Sequence, residues 1–421
     1  MQLCIFEDQY FSNFFPLVYL RPVYALRCGA TKLREKIERL FPRTSIVYHC
    51  RPALTDYLRE VHHNKYVNEF TEEPTLFING RVLADTNFHQ LLKSTPKRDT
   101  VYLDEGNVVA AFVGAEFVRS MKEKISTDVL SKNMFDGLSD EQVEVTLLTY
   151  PWELVHRNGE EIRNDFLHFA KRMKGKKILG KLLPGTHLLN KTEILIGKGT
   201  VVKPGVVLDA EKGPIILGEN VTVLSNAVIE GPVFIGEGSI IKAGARIYGN
   251  SSIGEVCKVG GEIEASIIHS YSNKQHDGYL GHSYLGSWVN IGADTNNSDL
   301  KNNYGTVRVY VNGSSVDSGL QFVGLFMADH SKTGINVMFD TGTVVGVSCN
   351  VYGAGLPPKY LPSFSWGNVA SSFSAFRLEK SIETAQRMMA RRDVKWSPAY
   401  ERLFCKVFEE TVAERARARI F

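Results

Sequence analysis

Leu217-Gly-Glu-Asn-Val-Thr-Val223-Leu-Ser-Asn-Ala-Val-Ile229-Glu-Gly-Pro-Val-Phe-Ile235-Gly-Glu-Gly-Ser-Ile-Ile241 carries a branched aliphatic residue at every sixth position, and the series continues through Ile247, Ile253 and Val259. Four residues after each of these stands Val221, Ala227, Val233, Ser239, Ala245, Ser251, Cys257 or Ile263, mostly small or branched. A period of six fits neither an α-helix, at about 3.6 residues per turn, nor a strand, at about two. It fits a solenoid in which three short strands make one triangular coil, with the aliphatic residues stacked inside the prism. The phase extends back to Ile196, Val202 and Leu208, with 211–213 as a corner loop, and reads as returning at Val323, Asp329, Ile335, Thr341 and Val347.

A solenoid buries a continuous core whether or not anything binds it, so a repeat alone fits a structural spacer. The break in the repeat argues otherwise. Between Ala265 and Val323 only Leu285 and Ile291 keep the phase, and the segment is filled with polar side chains, His276, Tyr279, His282, Asn290 and Asp299 among them. Polar loops on a rigid scaffold are where chemistry concentrates.

Three runs in this segment, His276-Asp-Gly-Tyr279-Leu-Gly, Val289-Asn290-Ile-Gly-Ala and Asn296-Asn-Ser-Asp-Leu-Lys-Asn-Asn-Tyr-Gly305, resemble the acetyltransferase site of the bifunctional N-acetylglucosamine-1-phosphate uridylyltransferase/glucosamine-1-phosphate acetyltransferase family. The run His330-Ser-Lys-Thr-Gly-Ile-Asn336 resembles the archaeal and alternative bacterial branch. The resemblance covers about Leu182 to Pro362 and implies a trimer of left-handed β-helices with an N-terminal nucleotidyltransferase domain. Left-handedness is implied by the resemblance only, since parallel crossovers are as a rule right-handed.

The same resemblance implies roles for individual residues. His276 matches the catalytic base, and imidazole suits deprotonation of an amine near neutral pH. His282 is the rival on residue type, although the motif that follows it comes one residue too soon. Tyr279 and Asn290 match positions that contact the sugar phosphate and orient the acceptor, Arg246 falls near the phosphate-binding arginines, and Asp299 stands beside the acceptor. The chain departs from the family at Glu264, where a phosphate-binding lysine is usual, and at Asp299, where an asparagine is. Acetyl-coenzyme A is expected along the coil corners, with Gly324 and Lys332 as contacts.

At 421 residues the chain exceeds what one core usually serves. Residues 1–165 alternate short β-rich runs, at Leu3–Phe6, Ser45–Tyr48, Thr75–Ile78 and Thr100–Leu103, with helical patterns around Leu33-Ile37-Leu40 and Leu54-Leu58-Val61. Glu105-Gly106-Asn107 reads as a hairpin turn. The fold class expected is therefore an α/β nucleotidyltransferase-like domain with a largely parallel sheet at 1–165, a linker at 166–185 that includes the basic run Lys171–Lys181, a left-handed parallel β-helix at 186–356, and C-terminal helices at 357–421. One of these helices carries Leu378, Ile382, Ala385 and Met389, and the other starts at Ser397-Pro398 and carries Leu403, Val407 and Val412.

Phe15-Pro-Leu-Val-Tyr-Leu-Arg21-Pro and Arg27-Cys-Gly29-Ala-Thr-Lys32 resemble the segment after the signature loop of sugar-1-phosphate nucleotidyltransferases, which implies that Arg21, Arg27 and Lys32 contact nucleotide phosphates. Two parts of that family's pattern are missing. Phe6-Glu-Asp-Gln-Tyr-Phe stands where a glycine-rich loop is expected, and bulky residues cannot let backbone amides close on a triphosphate as glycines do. Arg81 follows Asn79-Gly80 where a metal-binding aspartate is expected, and Asp85 reads as a helix N-cap. Mg²⁺ is implied by the resemblance, with ligands unknown.

A net charge of +3 gives no reason to expect nucleic acid or a membrane as partner. The six cysteines, without metal-ligand spacing, read as reduced packing residues, and the N-terminus lacks a basic leader, so a cytoplasmic location is expected. The leading expectation is a transferase of amino-sugar nucleotide synthesis. It would acetylate glucosamine-1-phosphate or a related amino-sugar-1-phosphate at the solenoid and transfer a nucleotidyl group from UTP at the N-terminal domain, as a homotrimer. Two alternatives remain: a single-activity nucleotidyltransferase using UTP or dTTP with a trimerising solenoid, and a non-catalytic scaffold or regulatory subunit.

Overall fold

The computed structural model describes residues 1–93, 99–173 and 177–421. It comprises two compact units, each drawn from separate stretches of chain: Met1–Leu26, Thr31–Tyr150 and Ser397–Lys406 form the first, and Arg27–Ala30, Pro151–Trp396 and Val407–Phe421 the second. Among the described residues no helix is long and apolar enough to cross a membrane. Part of the basic run, residues 174–176, lies outside the described residues.

In the first unit Gln2–Phe6 is a central strand, buried throughout, with Ser45–His49 and Thr75–Asn79 parallel on its two sides. Thr75–Asn79 then pairs antiparallel with Asn107–Val113, so the sheet is largely parallel, as expected, with four of its six pairings parallel and the two made by Asn107–Val113 antiparallel. The turn Glu105-Gly106 joins Thr100–Asp104 to Asn107–Val113 with both residues at positive φ (46° and 81°), the geometry of a tight hairpin. The helices of this part of the chain are α1 (Leu33–Glu38), α2 (Thr55–Val61), α3 (Thr86–Lys93) and α4 (Ala115–Thr127). Asp85 does cap α3, accepting from the Phe88 amide at 2.8 Å.

The second unit is built on a parallel β-helix with three faces. Thr222–Val223, Ile240–Ile241, Lys258–Val259 and Asn273–Lys274 belong to the first face; Val228–Glu230, Arg246–Ile247, Glu262–Glu264 and Tyr279–Gly281 to the second; Ile215–Leu217, Val233–Ile235 and Ser251–Ile253 to the third. Every aliphatic of the six-residue series from Leu217 to Val259 is buried in one continuous core. The later phase is corrected. The inward residues of the upper coils are Met327, Thr333, Phe339, Val345 and Val351, all buried, whereas Ile335 is 66 % exposed. The register read from the sequence was displaced by two residues, onto the corners, because the coils between Val259 and Leu285 are short: Val259, Ile263, Ile268, Lys274, Leu280 and Leu285 follow one another inward at spacings of four to six. Residues 300–322 then leave the coil and return in the same phase, Leu285 pairing with Met327. Within that excursion Arg308–Val311 and Ser314–Asp317 form a hairpin about Asn312-Gly313, which the sequence reading did not include.

The linker expected at 166–185 overlaps regular structure. Helix α5 (Pro151–Arg172) runs into it, and Lys181–Leu182 is already a solenoid strand. Ile162 and Phe166 of α5 pack on the outward residues Leu195, Ile216 and Phe234 of the third face, with Ala30 in the same cluster. Gly29 lies at φ +80°, and a Cβ there would stand 2.6 Å from the Asp165 carboxylate and 2.8 Å from the Glu161 backbone, so only glycine fits this approach.

After the last coil come α6 (Leu378–Ala390), α7 (Pro398–Glu410) and α8 (Val412–Arg417). Thr411 breaks the expected second helix in two, and Val412 is half-exposed rather than a core residue. The end of the solenoid is covered: Phe364 meets Phe408 edge-on at 4.9 Å, and the Arg415 guanidinium lies over both rings.

Candidate active site

Residues of the second face reach one another because parallel register sets them side by side. Arg246, Glu262 and Tyr279 are successive partners across three strands, and Glu264 pairs with Gly281. Arg246 meets the Glu262 carboxylate at 3.3 Å, but both are substantially exposed, and a contact of this kind contributes about 0–1 kcal/mol.

Beside them lies a tighter group. The Tyr279 hydroxyl is 2.9 Å from Asp299 and 3.1 Å from Glu264, and the same Asp299 oxygen receives Nδ1 of His282 at 2.8 Å. Burial pushes the Asp299 carboxyl up, yet the hydrogen bonds from His282 and Tyr279 outweigh it and hold the group below its ordinary range. Burial, reinforced by the carboxylates of Asp299 and Glu264, drives the Tyr279 phenol far above its ordinary value. Tyr279 therefore acts as a neutral donor. The His282 ring stacks on Phe322 with centroids 5.1 Å apart and faces His156 at 5.7 Å, while Nε2 of His156 bonds the Phe322 carbonyl at 2.9 Å. A carboxylate that fixes one imidazole nitrogen leaves the other positioned to accept or deliver a proton.

His276 sits at the corner between the first and second faces, exposed, and its imidazole makes no hydrogen bond to the described residues. Its backbone is held from below. Lys274 occupies an inward position, paired with Val259, and its Nζ donates to the His276 carbonyl at 2.7 Å. Gly261 makes room for this ammonium, since a Cβ there would come within 2.8 Å of Nζ. Burial lowers the Lys274 ammonium to about 8, although Asp277 and Asp294 pull it back up. The folded value thus lies below that of the unfolded chain, which binds more protons at every pH between the two. Stability contributed through Lys274 is expected to rise from pH 8 towards about 10.5. Urea midpoints of wild type and Lys274→Met across that window check it; parallel curves would refute it.

Asn290 and Lys332 lie elsewhere, on the first face, where they line a cavity with Asn273. Gly324 is buried and does not face a ligand: its Cβ would stand 2.0 Å from the Gly281 carbonyl and 2.5 Å from Ser283 Oγ, so its identity is explained by close coil stacking. Arg27 is corrected as well. Its guanidinium is 1 % exposed, ion-paired with Glu255 at 2.5 Å and packed over Phe234, all within the second unit. Arg21 and Lys32 remain partly exposed in the first unit, Lys32 at the start of α1.

The residues at the start of the first unit do not fit a divalent metal. Asp8 is bound by Arg81 through Nε at 2.9 Å and Nη2 at 2.6 Å and by Asn79 at 2.8 Å, and Glu7 by Arg51 at 2.8 Å. Arg81 thus puts a guanidinium against the nearest carboxylate, where the family pattern has an aspartate. No group of three or more His, Cys, Asp or Glu among the described residues is arranged to hold an ion.

Residues 3–174 match the sequence family described as sugar nucleotidyl transferase. Among curated relatives, the chain is 36% identical over 114 residues to the bifunctional protein GlmU of Rippkaea orientalis, covering 27% of this chain and 23% of that one. It is 36% identical over 143 residues to the bifunctional sugar-1-phosphate nucleotidylyltransferase/acetyltransferase of Sulfurisphaera tokodaii, covering 34% and 36%. With GlmU of Methanocaldococcus jannaschii it shares 26% over 309 residues, covering 67% and 71%. The chain thus spans about a quarter to a third of the first two relatives' length and more than two thirds of the third's.

Sequence reasoning quoted His282, Glu264 and Asp299 without joining them. The signal was present, because the two departures from the family pattern, Glu264 and Asp299, are the two carboxylates that share Tyr279. Lys274 was passed over because a lysine in a polar run reads as solvated.

Proposed function

We propose that the solenoid transfers an acetyl group from acetyl-coenzyme A to the amine of an amino-sugar-1-phosphate, and that the N-terminal unit carries nucleotidyl transfer to the sugar-1-phosphate. The observation that carries the acetyl-transfer reading is the exposed His276 imidazole one corner away from the Glu264–Tyr279–Asp299–His282 group. His276 takes the proton of the attacking amine as its nitrogen bonds the thioester carbonyl carbon. The carbon–sulfur bond then breaks, and the thiolate leaves and is protonated. Tyr279, fixed as a neutral donor, orients the acceptor, with Arg246 and Asp299 as its further contacts. The reaction belongs in the cytoplasm, and its partners are small molecules. Amino-sugar-1-phosphates tested with acetyl-coenzyme A decide the matter: no acetylation of any acceptor in the panel would sink the reading.

For the N-terminal unit, Arg21 and Lys32 are the phosphate contacts, and the reading rests on cationic clamping alone. Pyrophosphate release from UTP or dTTP and the acetylated sugar phosphate, measured with and without Mg²⁺, tests it. If no nucleotide gives release, the unit is a structural remnant.

The assembly proposed is a homotrimer joined along the solenoid. Ile335 and Met338 support it, because they are 66 % and 46 % exposed on the upper coils, apolar side chains that an interface would cover. Light scattering is expected to give three times the 47.1 kDa chain, and the double variant Ile335→Glu/Met338→Glu is expected to give monomers. An active wild-type monomer at assay concentration would refute a site shared between chains.

A further inference from the structure

The upper coils and α6 enclose a cavity of about 310 Å³, within the range of small-molecule sites. One wall is cationic: Lys258 and Lys332 rise from the first face, and Arg391 and Arg392 come from the end of α6. No carboxylate stands among the described residues that line it. Arg387, also on the rim, is answered by Glu383 at 2.5 Å, whereas Lys258, Arg391 and Arg392 form no ion pair among the described residues. The charges crowd one another. Arg392, then burial, then Arg391 and Lys242 hold the Lys258 ammonium below its ordinary value. Burial lowers Lys332 to about 8 while its Nζ donates to the His330 carbonyl at 2.7 Å. Arg392 gives one N–H to Asn273 at 3.0 Å, and its buried Nε has no hydrogen-bond partner among the described residues. Like charges facing one another with a donor unanswered call for an anion from outside.

The other wall is aromatic. Tyr271 and Trp288 stack with centroids 4.3 Å apart and planes 8° apart, and the Trp288 ring lies parallel to His330 at 6.1 Å. These side chains hang from left-handed backbone, at φ 65°, 62° and 62°. In the lower coils the same corner is turned by Gly199, Asn220, Gly238 and Val256, so it carries no ring until Tyr271.

We propose that this cavity binds a nucleoside diphosphate, the phosphates on Lys258, Lys332, Arg391 and Arg392 and the base against the Tyr271–Trp288 wall. A sugar nucleotide here would be additional to the two activities proposed above, whereas a coenzyme end would rest on the acetyl-transfer reading. A nucleoside diphosphate could come as part of a sugar nucleotide or as the nucleotide end of a coenzyme, and the test separates them. Calorimetry on the full chain, with neither acetyl donor nor acceptor present, compares UDP, ADP and pyrophosphate. Wild type is expected to show a binding event for UDP or ADP at least about tenfold tighter than for pyrophosphate. In Lys258→Glu/Arg391→Glu that event weakens at least about tenfold or disappears, while any nucleotide binding to the N-terminal unit persists. Preference for UDP assigns the site to a sugar nucleotide, and preference for ADP to the coenzyme end. If the charge-reversed chain has a lowered thermal midpoint, Lys258→Gln/Arg391→Gln decides in its place. Nucleotide binding that is unchanged in the variants overturns the proposal, as does pyrophosphate bound as tightly as either nucleotide, or no nucleotide bound at about 1 mM.

Discussion

His276→Ala is expected to lower acetyl transfer by about two to four orders of magnitude, the range for loss of a general base, with the thermal midpoint unchanged. The two halves of this expectation have separate causes. The imidazole is exposed and makes no hydrogen bond to the described residues, so its removal takes nothing from the fold. The contact that does fix this corner runs from Lys274 to the backbone carbonyl, which alanine keeps. His282→Ala should behave differently. It removes the donor at 2.8 Å from a largely buried Asp299, and leaving such a group unanswered costs about 1–3 kcal/mol. Its effect should therefore appear in stability and in KM, because Tyr279 shares the same carboxylate oxygen. Rates and melting curves of the two variants, side by side, distinguish the roles. If His282→Ala abolishes turnover at an unchanged midpoint while His276→Ala does not slow it, the base is His282, oriented by Asp299.

Arg81→Ala is expected to destabilise the first unit by about 3–5 kcal/mol, the cost of breaking a buried ion pair by removing one partner. Arg81 is 1 % exposed, grips Asp8 through two nitrogens and also donates to the Leu148 carbonyl. Without it the Asp8 carboxylate retains, among the described residues, Asn79 and the Tyr10 amide. Asp8→Asn/Arg81→Met should recover part of the loss, because replacing both members removes the uncompensated charge. Urea denaturation followed by far-ultraviolet dichroism measures it. A loss below about 1 kcal/mol in the single variant would mean that water reaches Asp8 and the pair is not buried in solution.

How far the sequence could be read follows from how local each signal is. The coils were legible from Ile196 to Val259 because each inward aliphatic is fixed by its own strand, so a period in the chain is a column in space. The four strands of the first unit were legible for the same reason, since each is a short apolar run bounded by turn residues. Above Val259 the column continues but the count does not, because short coils between there and Leu285 shift the phase, and an inserted hairpin then interrupts it. Asn312-Gly313 between Val307-Val309-Val311 and Val316 was a signal for that hairpin. At the site, residue types were legible and pairings were not. Glu264, Tyr279, His282 and Asp299 meet only because three coils stack in register. Arg27 misled for the opposite reason: a basic residue beside a glycine looks like a phosphate contact, and nothing local shows that Glu255, more than two hundred residues away, takes its charge.

The way the chain shares out its segments bears on the order in which the protein can be completed. Unfinished chains generally fold from their N-terminus as they are made. Here the N-terminal unit includes Ser397–Lys406, so it lacks one of its own helical segments until the chain has been made past Lys406, after every coil of the solenoid. The solenoid, whose coils each need only the neighbour made just before, can stack well before then. The part of the molecule that is synthesised first is the part that must wait.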